Sequence, residues 1–189
     1  MLHAHARAAL VLVSALDLPR GARALRCALP APRLEERLLA GVPTTVAIPI
    51  SEGACPTLVF LNGATPLGRH HPAVRRLAVG LARAGLAAYV PDVHGLAHGE
   101  ITERTVADGA LVARAAAEGS GRGETALAGI SVGAALALLV AAEPELAGRT
   151  RVVAGLAPYA DLVEVIRLAT TGCYRSGGAL ERCEVDPFL

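Results

Sequence analysis

A serine stands between two glycines where an apolar strand-like segment meets an apolar helix-like segment, in the sequence Gly129-Ile130-Ser131-Val132-Gly133. In that context the pattern G-x-S-x-G predicts a nucleophile elbow, a tight strand-to-helix turn that projects the serine hydroxyl away from the sheet. The glycines leave room for the turn because they bring no Cβ atom. The same turn aims the backbone N–H of Val132 at the oxygen of a developing tetrahedral intermediate. This segment therefore predicts nucleophilic attack by Ser131 on an acyl carbon.

No histidine follows this serine, and all six histidines of the chain precede it. A serine hydroxyl without a general base is a poor nucleophile at neutral pH, so the missing histidine matters as much as the motif. His70 and His71 precede a proline and are predicted to lie on the surface at the start of a helix. His94 and His98 lie in a glycine-containing loop. A base recruited from these residues is an open alternative, because triads arise from several chain orders.

Acidic residues near the motif give two further hypotheses. Asp161 follows the last predicted strand, where it is either an acid that orients a histidine or the N-cap of the next helix. Asp186 is the other aspartate after the serine. Asp92, His94 and His98 are metal-ligand types, but they lie on a loop and lack a helical HExxH arrangement. We therefore predict no metal site and expect no cofactor.

The periodicity of apolar residues places the serine within alternating strands and helices. Continuous apolar runs predict buried strands, and amphipathic or wholly apolar segments predict helices. The predicted strands are 44–50, 57–61, 86–90, 125–130 and 151–156, and the predicted helices are 72–84, 102–118, 131–142 and 162–168. The alternation predicts right-handed βαβ units, and hence an α/β fold with a mostly parallel, doubly wound sheet and helices on both faces.

A boundary near residue 40 is predicted to separate an N-terminal extension, 1–40, from the α/β core, 41–189. The extension is expected to be helical or poorly ordered, with a short helix over 33–39. Its apolar segment, 8–16, is shorter than the roughly 20 residues that span a bilayer, which indicates a peripheral helix or an anchor remnant. Ala22-Arg23-Ala24 is only a weak cleavage-site pattern. A cytoplasmic location is expected, with secretion or membrane anchoring as minority alternatives.

Composition limits the classes of protein and partner. A length of 189 residues fits one domain, and 53% apolar residues with 3% aromatic residues predict a core of alanine, leucine and valine. A net charge of +1 with scattered arginines gives no nucleic-acid-binding surface. The four cysteines have no metal spacing and are expected to be free thiols, with a Cys173–Cys183 disulfide as the minority alternative.

With these elements placed, the chain resembles the α/β-hydrolase superfamily over roughly residues 44–165. Three motifs carry the resemblance: Leu61-Asn62-Gly63-Ala64-Thr65, then Tyr89-Val90-Pro91-Asp92 with Gly95 and His98-Gly99-Glu100, and the serine motif 129–133. The first lies where the family keeps its first oxyanion-hole loop, and the second resembles the loop after the next strand.

The resemblance implies roles for individual residues. Ser131 would be the nucleophile of a carboxylic ester hydrolase that works through an acyl-enzyme, with Gly129 and Gly133 shaping the elbow. The N–H groups of Ala64 and Val132 would form the oxyanion hole. Three residues, Asn62, Gly63 and His98, would shape the loops. A serine rather than a cysteine at the elbow favours an esterase or lipase over the related dienelactone hydrolases, with a small-molecule ester as substrate.

The departure from the family pattern leaves two hypotheses. The family orders its triad as serine, acid and histidine, so this chain resembles the N-terminal two-thirds of a hydrolase, with the C-terminal strands and the acid/His part missing. The favoured hypothesis is an enzyme of which these residues are a truncated piece. The alternative is an inactive, hydrolase-like scaffold that serves as a binding or interaction module. In that case a partner strand would have to cover the apolar edge strand 151–156.

Overall fold

A six-stranded sheet forms the centre of the fold. The structure is a computed structural model that describes residues 2–15, 30–50, 53–159 and 161–184. The strands of the sheet are β1 (Arg33–Leu39), β2 (Val42–Ile48), β3 (Thr57–Leu61), β4 (Ala87–Pro91), β5 (Thr125–Ile130) and β6 (Thr150–Leu156). The helices of the same part are α1 (Leu2–Ala15), α2 (Pro72–Arg83), α3 (Glu103–Gly119) and α4 (Val132–Ala141). The chain divides into two compact units, Met1–Pro158 and Tyr159–Leu189.

The sheet is mostly parallel, as the sequence predicts. Its strand order is β1-β2-β4-β3-β5-β6, and β4, β3, β5 and β6 run parallel to one another. At one side of the sheet, β2 pairs antiparallel with β4, and β1 pairs antiparallel with β2. The parallel strands β3 and β4 are short apolar runs because helices cover both of their faces. Parallel strands end at a common edge of the sheet, so the segments that follow β3, β4 and β5 lie along that edge.

Helices pack on both faces of the sheet and bury two apolar clusters. On one face, Leu61 and Leu127 are fully buried together with Val112 of α3 and Leu136 of α4. On the other face, the strand residues Phe60 and Ala88 pack with Ala78 and Ala82 of α2. The predicted doubly wound arrangement is therefore confirmed.

The predicted helix over 33–39 is wrong, because this segment is strand β1. It pairs with β2 along its whole length, from Arg33 opposite Ile48 to Leu39 opposite Val42. The connection is a two-residue turn in which Ala40 and Gly41 both have positive φ, 48° and 87°. Such a turn matches the twist of a hairpin. Pairing with an ordered neighbour overrides the helix propensity of a segment rich in leucine, glutamate and arginine.

Helix α1 packs against α2, so the N-terminal extension contributes to the same compact unit. Ser14 of α1 is 1% exposed, and its hydroxyl accepts a hydrogen bond from Arg83 at 3.1 Å. The helices in the described part of the chain are too short or too polar to span a bilayer. Nothing in this part supports the anchor remnant, and Ala22-Arg23-Ala24 lies outside the described residues. The boundary at residue 40 stays a prediction.

The second unit consists of a helix and a hairpin. Helix α5 spans Leu162–Thr171, and strands β7 (Cys173–Ser176) and β8 (Ala179–Arg182) pair antiparallel. The Tyr174 hydroxyl donates to the Glu181 carboxylate at 2.7 Å, and this hydrogen bond raises the pKa of Tyr174. Cys173 and Cys183 are free thiols.

We predict that Gly80→Ala destabilises the protein by about 1–3 kcal/mol. A Cβ atom at this position would lie 2.9 Å from the Ser14 Cβ and 3.0 Å from the Val11 carbonyl oxygen, so α1 would have to move away. Thermal unfolding measures the change. Gly119→Ala in α3 is the matched control, since its nearest neighbour, the Tyr89 hydroxyl, would be 3.4 Å away. Glycine-to-alanine changes inside helices usually stabilise, so an equally stable Gly80→Ala variant would show that α1 is not docked.

Candidate active site

Ser131 lies at the junction of β5 and α4 with an unusual backbone conformation. Its φ is 54° and its ψ is −124°, a sparsely populated combination for a residue with a side chain. Such a conformation costs about 1–3 kcal/mol and persists only where the surroundings hold it. The N–H groups of Ala134 and Ala135 donate to the Ser131 carbonyl at 2.9 and 3.2 Å and begin the helix. The strained turn leaves Ser131 exposed at the sheet edge where the parallel strands end.

The two glycines of the motif are positions where no side chain fits. A Cβ atom at Gly129 would lie 2.1 Å from the Gly133 carbonyl oxygen. A Cβ atom at Gly133 would lie 2.1 Å from the Leu61 carbonyl oxygen and 2.3 Å from that of Asn62. The turn therefore folds back onto β5 and at the same time presses the first residues of α4 against the end of β3. This is the close backbone approach that the spacing predicts.

The loop after β3 lies beside the serine. A Cβ atom at Gly63 would be 3.6 Å from the Ser131 Cβ and 3.4 Å from the Ile130 carbonyl oxygen. Asn62 is 2% exposed, and its side-chain amide donates to the Gly63 carbonyl at 2.8 Å, which holds the loop in place. Within the described residues, the backbone N–H groups of Ala64 and Val132 have no acceptor. Two N–H groups next to a serine can bind the negative oxygen of a tetrahedral intermediate.

His98 belongs to a loop that adjoins the Ala64 loop. It ends a 3₁₀ turn, Leu96–His98, between Gly95 and Gly99, which have φ values of 77° and 78°. A Cβ atom at Gly99 would lie 3.5 Å from the Ala64 Cβ, so this loop packs against the loop that follows β3. The imidazole of His98 is exposed to solvent. The loop-shaping role of His98 stays a prediction.

The remaining candidate residues have other partners. His71 caps α2, since its Nδ1 accepts from the Ala73 N–H at 3.3 Å. Asp92 lies 3.7 Å from the Arg69 Nε. Asp161 caps α5 by accepting from the N–H groups of Val163 and Glu164 at 2.8 and 3.2 Å, as the cap hypothesis predicts. Asp186 lies outside the described residues.

Across residues 2–15, 30–50, 53–159 and 161–184, no group of three or more histidine, cysteine, aspartate or glutamate residues could hold a metal ion.

Sequence reasoning missed one residue that positions Ser131. The Ser131 N–H donates to the Leu156 carbonyl at 2.9 Å, so the C-terminal end of β6 braces the elbow. The apolar run of β6 predicts a strand. The sequence does not indicate the register of that strand with β5, which places Leu156 opposite Ile130.

No protein-family model matches the sequence, and no curated protein matches it. Solved structures do resemble it. The hyperthermophilic esterase from the archaeon Pyrobaculum calidifontis is 19% identical, with a TM-score of 0.59 over 89% of this chain and 56% of that chain. A hormone-sensitive lipase from a metagenome library is 22% identical, with a TM-score of 0.56 over 83% of this chain and 52% of that chain. The protein DphMB1 is 28% identical, with a TM-score of 0.52 over 76% of this chain and 51% of that chain.

The matched region is therefore about half of each solved protein, 51% to 56% of its length. Most of this chain is covered in each comparison. The resemblance shows that the six-stranded sheet and its helices match part of a larger known fold. It concerns the fold, not the activities of the complete solved proteins.

We predict that Gly133→Ala destabilises the protein by at least about 3 kcal/mol, because its Cβ would collide with backbone rather than with a side chain that can move. Urea denaturation measures the change. Gly155→Ala in β6 is the matched control, since its closest contact would be an ordinary 3.4 Å to the Ala134 Cβ. A Gly133→Ala variant as stable as the control would contradict the close approach of the elbow to β3.

Proposed function

We propose that this chain, which has the α/β-hydrolase fold, is part of a serine hydrolase that cleaves carboxylic esters through an acyl-enzyme intermediate. The mostly parallel sheet and the solved structures confirm the fold that the sequence predicts. The observation that carries the function is the conformation of Ser131, φ 54° and ψ −124°, at a junction where backbone packing excludes every residue but glycine on both sides. Strain of this kind is typical of functional sites.

The proposed reaction begins with attack of the Ser131 Oγ on the ester carbonyl carbon while a base takes the hydroxyl proton. The carbonyl oxygen becomes an oxyanion, which the N–H groups of Val132 and Ala64 stabilise. The tetrahedral intermediate collapses, the proton passes to the leaving alcohol, and an acyl-enzyme remains on Ser131. A water molecule then attacks the acyl carbon and gives its proton to the same base. The bond between the acyl carbon and the Ser131 Oγ breaks, the carboxylic acid leaves, and the base returns the proton to the Ser131 Oγ.

We propose that the base and its acid are supplied by polypeptide outside these 189 residues. No histidine follows Ser131 in the sequence, and the carboxylate of Asp161 already caps α5. His71 already accepts a hydrogen bond from its own helix. The chain matches only about half the length of the solved esterase and lipase. His98, exposed on the loop beside Ala64, remains the alternative base within the chain.

A small-molecule ester is the proposed substrate class. The solved proteins that resemble this chain include an esterase and a lipase by name, which supports an ester bond as the target. A cytoplasmic location is proposed from the sequence alone.

An inactive scaffold is the second candidate function, and the missing histidine favours it. In that case Ser131 would keep the conformation of the elbow without the reactivity. The oxyanion loop and the exposed sheet edge would then serve binding. The two candidates differ in whether Ser131 turns over an ester.

We predict that the protein purified from its own source hydrolyses p-nitrophenyl acetate, and that Ser131→Ala lowers kcat/KM by at least about 10³-fold. Ser176→Ala in β7 is the matched control and should leave the rate unchanged. The intact mass of the same preparation should lie well above 19.3 kDa. Equal rates for the wild type and Ser131→Ala would leave the scaffold as the function, and full activity at a mass of 19.3 kDa would assign the base to this chain.

A further inference from the structure

Arg69 lies in the segment that joins β3 to α2, and only 13% of its side chain is exposed. Its Nη1 donates to the Glu36 carboxylate of β1 and to the Thr45 hydroxyl of β2, the latter at 3.1 Å. Its Nε is buried, makes no hydrogen bond within the described residues, and lies 3.7 Å from the Asp92 carboxylate. A guanidinium withdrawn from water is stable only beside groups of opposite charge, so these two carboxylates stabilise it.

The segment 64–70, which carries Arg69, makes few contacts with the sheet through its backbone. The Gly68 N–H donates to the Thr65 carbonyl at 2.8 Å, and the 3₁₀ turn Gly68–His70 follows at once. These hydrogen bonds shape the segment but do not fix its position. In the part of the chain that the structure describes, the polar contacts that join this segment to the sheet and to the loop after β4 are those of the Arg69 side chain.

The same segment begins beside the serine. Ala64 directly follows Gly63, whose Cβ position is 3.6 Å from the Ser131 Cβ. Towards the other end of the segment, a Cβ atom at Gly68 would lie 3.4 Å from a carboxylate oxygen of Asp92. The buried asparagine amide fixes the first end, and the contacts of the guanidinium fix the second. The Ala64 N–H lies between these two fixed points.

We propose that Arg69 is a positioning residue that holds the Ala64 N–H where it can stabilise the oxyanion formed at Ser131. This proposal rests on the proposed function, because an oxyanion hole acts only if Ser131 attacks a carbonyl carbon. Glu36 provides a firm anchor, since β1 pairs with β2 along its whole length and β2 pairs with β4. The Nη and Nε groups of one arginine point in different directions, so a single side chain reaches both β1 and the loop after β4.

The test is hydrolysis of p-nitrophenyl acetate by the native protein and its variants, each produced in the source organism. Arg69→Met should lower kcat by about 10- to 100-fold, because loss of an oxyanion donor costs about 10²- to 10³-fold and a displaced donor costs less. KM should stay within about twofold, since the oxyanion exists only in the transition state. Arg75→Met is the matched control. Arg75 pairs with the same Glu36 at 3.6 Å, but it lies on α2, so its loss should leave kcat unchanged.

Inhibition by a trifluoromethyl ketone separates a displaced oxyanion donor from a general loss of structure. The Ser131 Oγ bonds to the ketone carbon, the hydroxyl proton passes to the base, and the carbonyl oxygen becomes an oxyanion with no leaving group to expel. The inhibition constant of the ketone should therefore rise in Arg69→Met by the same factor by which kcat/KM falls. A role in stability alone would change the thermal unfolding temperature without changing this constant in the folded protein.

Asp92→Asn provides a second variant, because this side chain is 47% exposed and the substitution keeps its size, so the fold is retained. Its kcat should also fall. The double variant should be no slower than Arg69→Met alone, since both substitutions remove one interaction.

Three outcomes would overturn the proposal. The first is an unchanged kcat and inhibition constant in folded Arg69→Met or, if that variant does not fold, in Asp92→Asn. The second is a set of effects that simply multiply in the double variant. Either result in a wild type whose turnover depends on Ser131 would overturn this inference alone. The third, a wild type without such turnover, would overturn the proposed function together with it.

Discussion

The close contact between the start of α4 and the end of β3 is the constraint on which the site depends. Gly133 lies so near the Leu61 and Asn62 carbonyls that no side chain fits between them. This contact holds the start of the helix that follows the serine against the end of β3 and the loop that follows it. The buried Asn62 then holds Gly63 beside Ser131. Backbone contacts, rather than side-chain packing, therefore hold most of this site in place.

The strained conformation of Ser131 is held from two directions. On one side, the N–H groups of Ala134 and Ala135 in helix α4 donate hydrogen bonds to the Ser131 carbonyl. Strand β6 holds the other side, through the Leu156 carbonyl. The conformation of Ser131 is therefore coupled to the C-terminal end of β6. Fraying of β6 would release the Ser131 N–H.

Much of the fold could be predicted from the sequence, since the chemistry-bearing segments are bounded by strong local signals. Strands β3 and β5 begin and end where the apolar runs do, and Asp161 takes the cap position that its place before an apolar helix indicates. Strand β1 could not be predicted, because its residues favour a helix and only pairing with β2 makes them extended. The support of Ser131 by Leu156 could not be predicted either, since register depends on the packing of distant segments.

The central claim is that the elbow exists to present a reactive serine. Reaction of the native protein with a fluorophosphonate, followed by mass spectrometry of its peptides, tests this claim most directly, because the reagent bonds only to a serine whose proton is removed and whose oxyanion is stabilised. The account predicts one adduct, on the peptide that contains Ser131. An unmodified Ser131 in correctly folded protein, or an adduct on another serine, would contradict it.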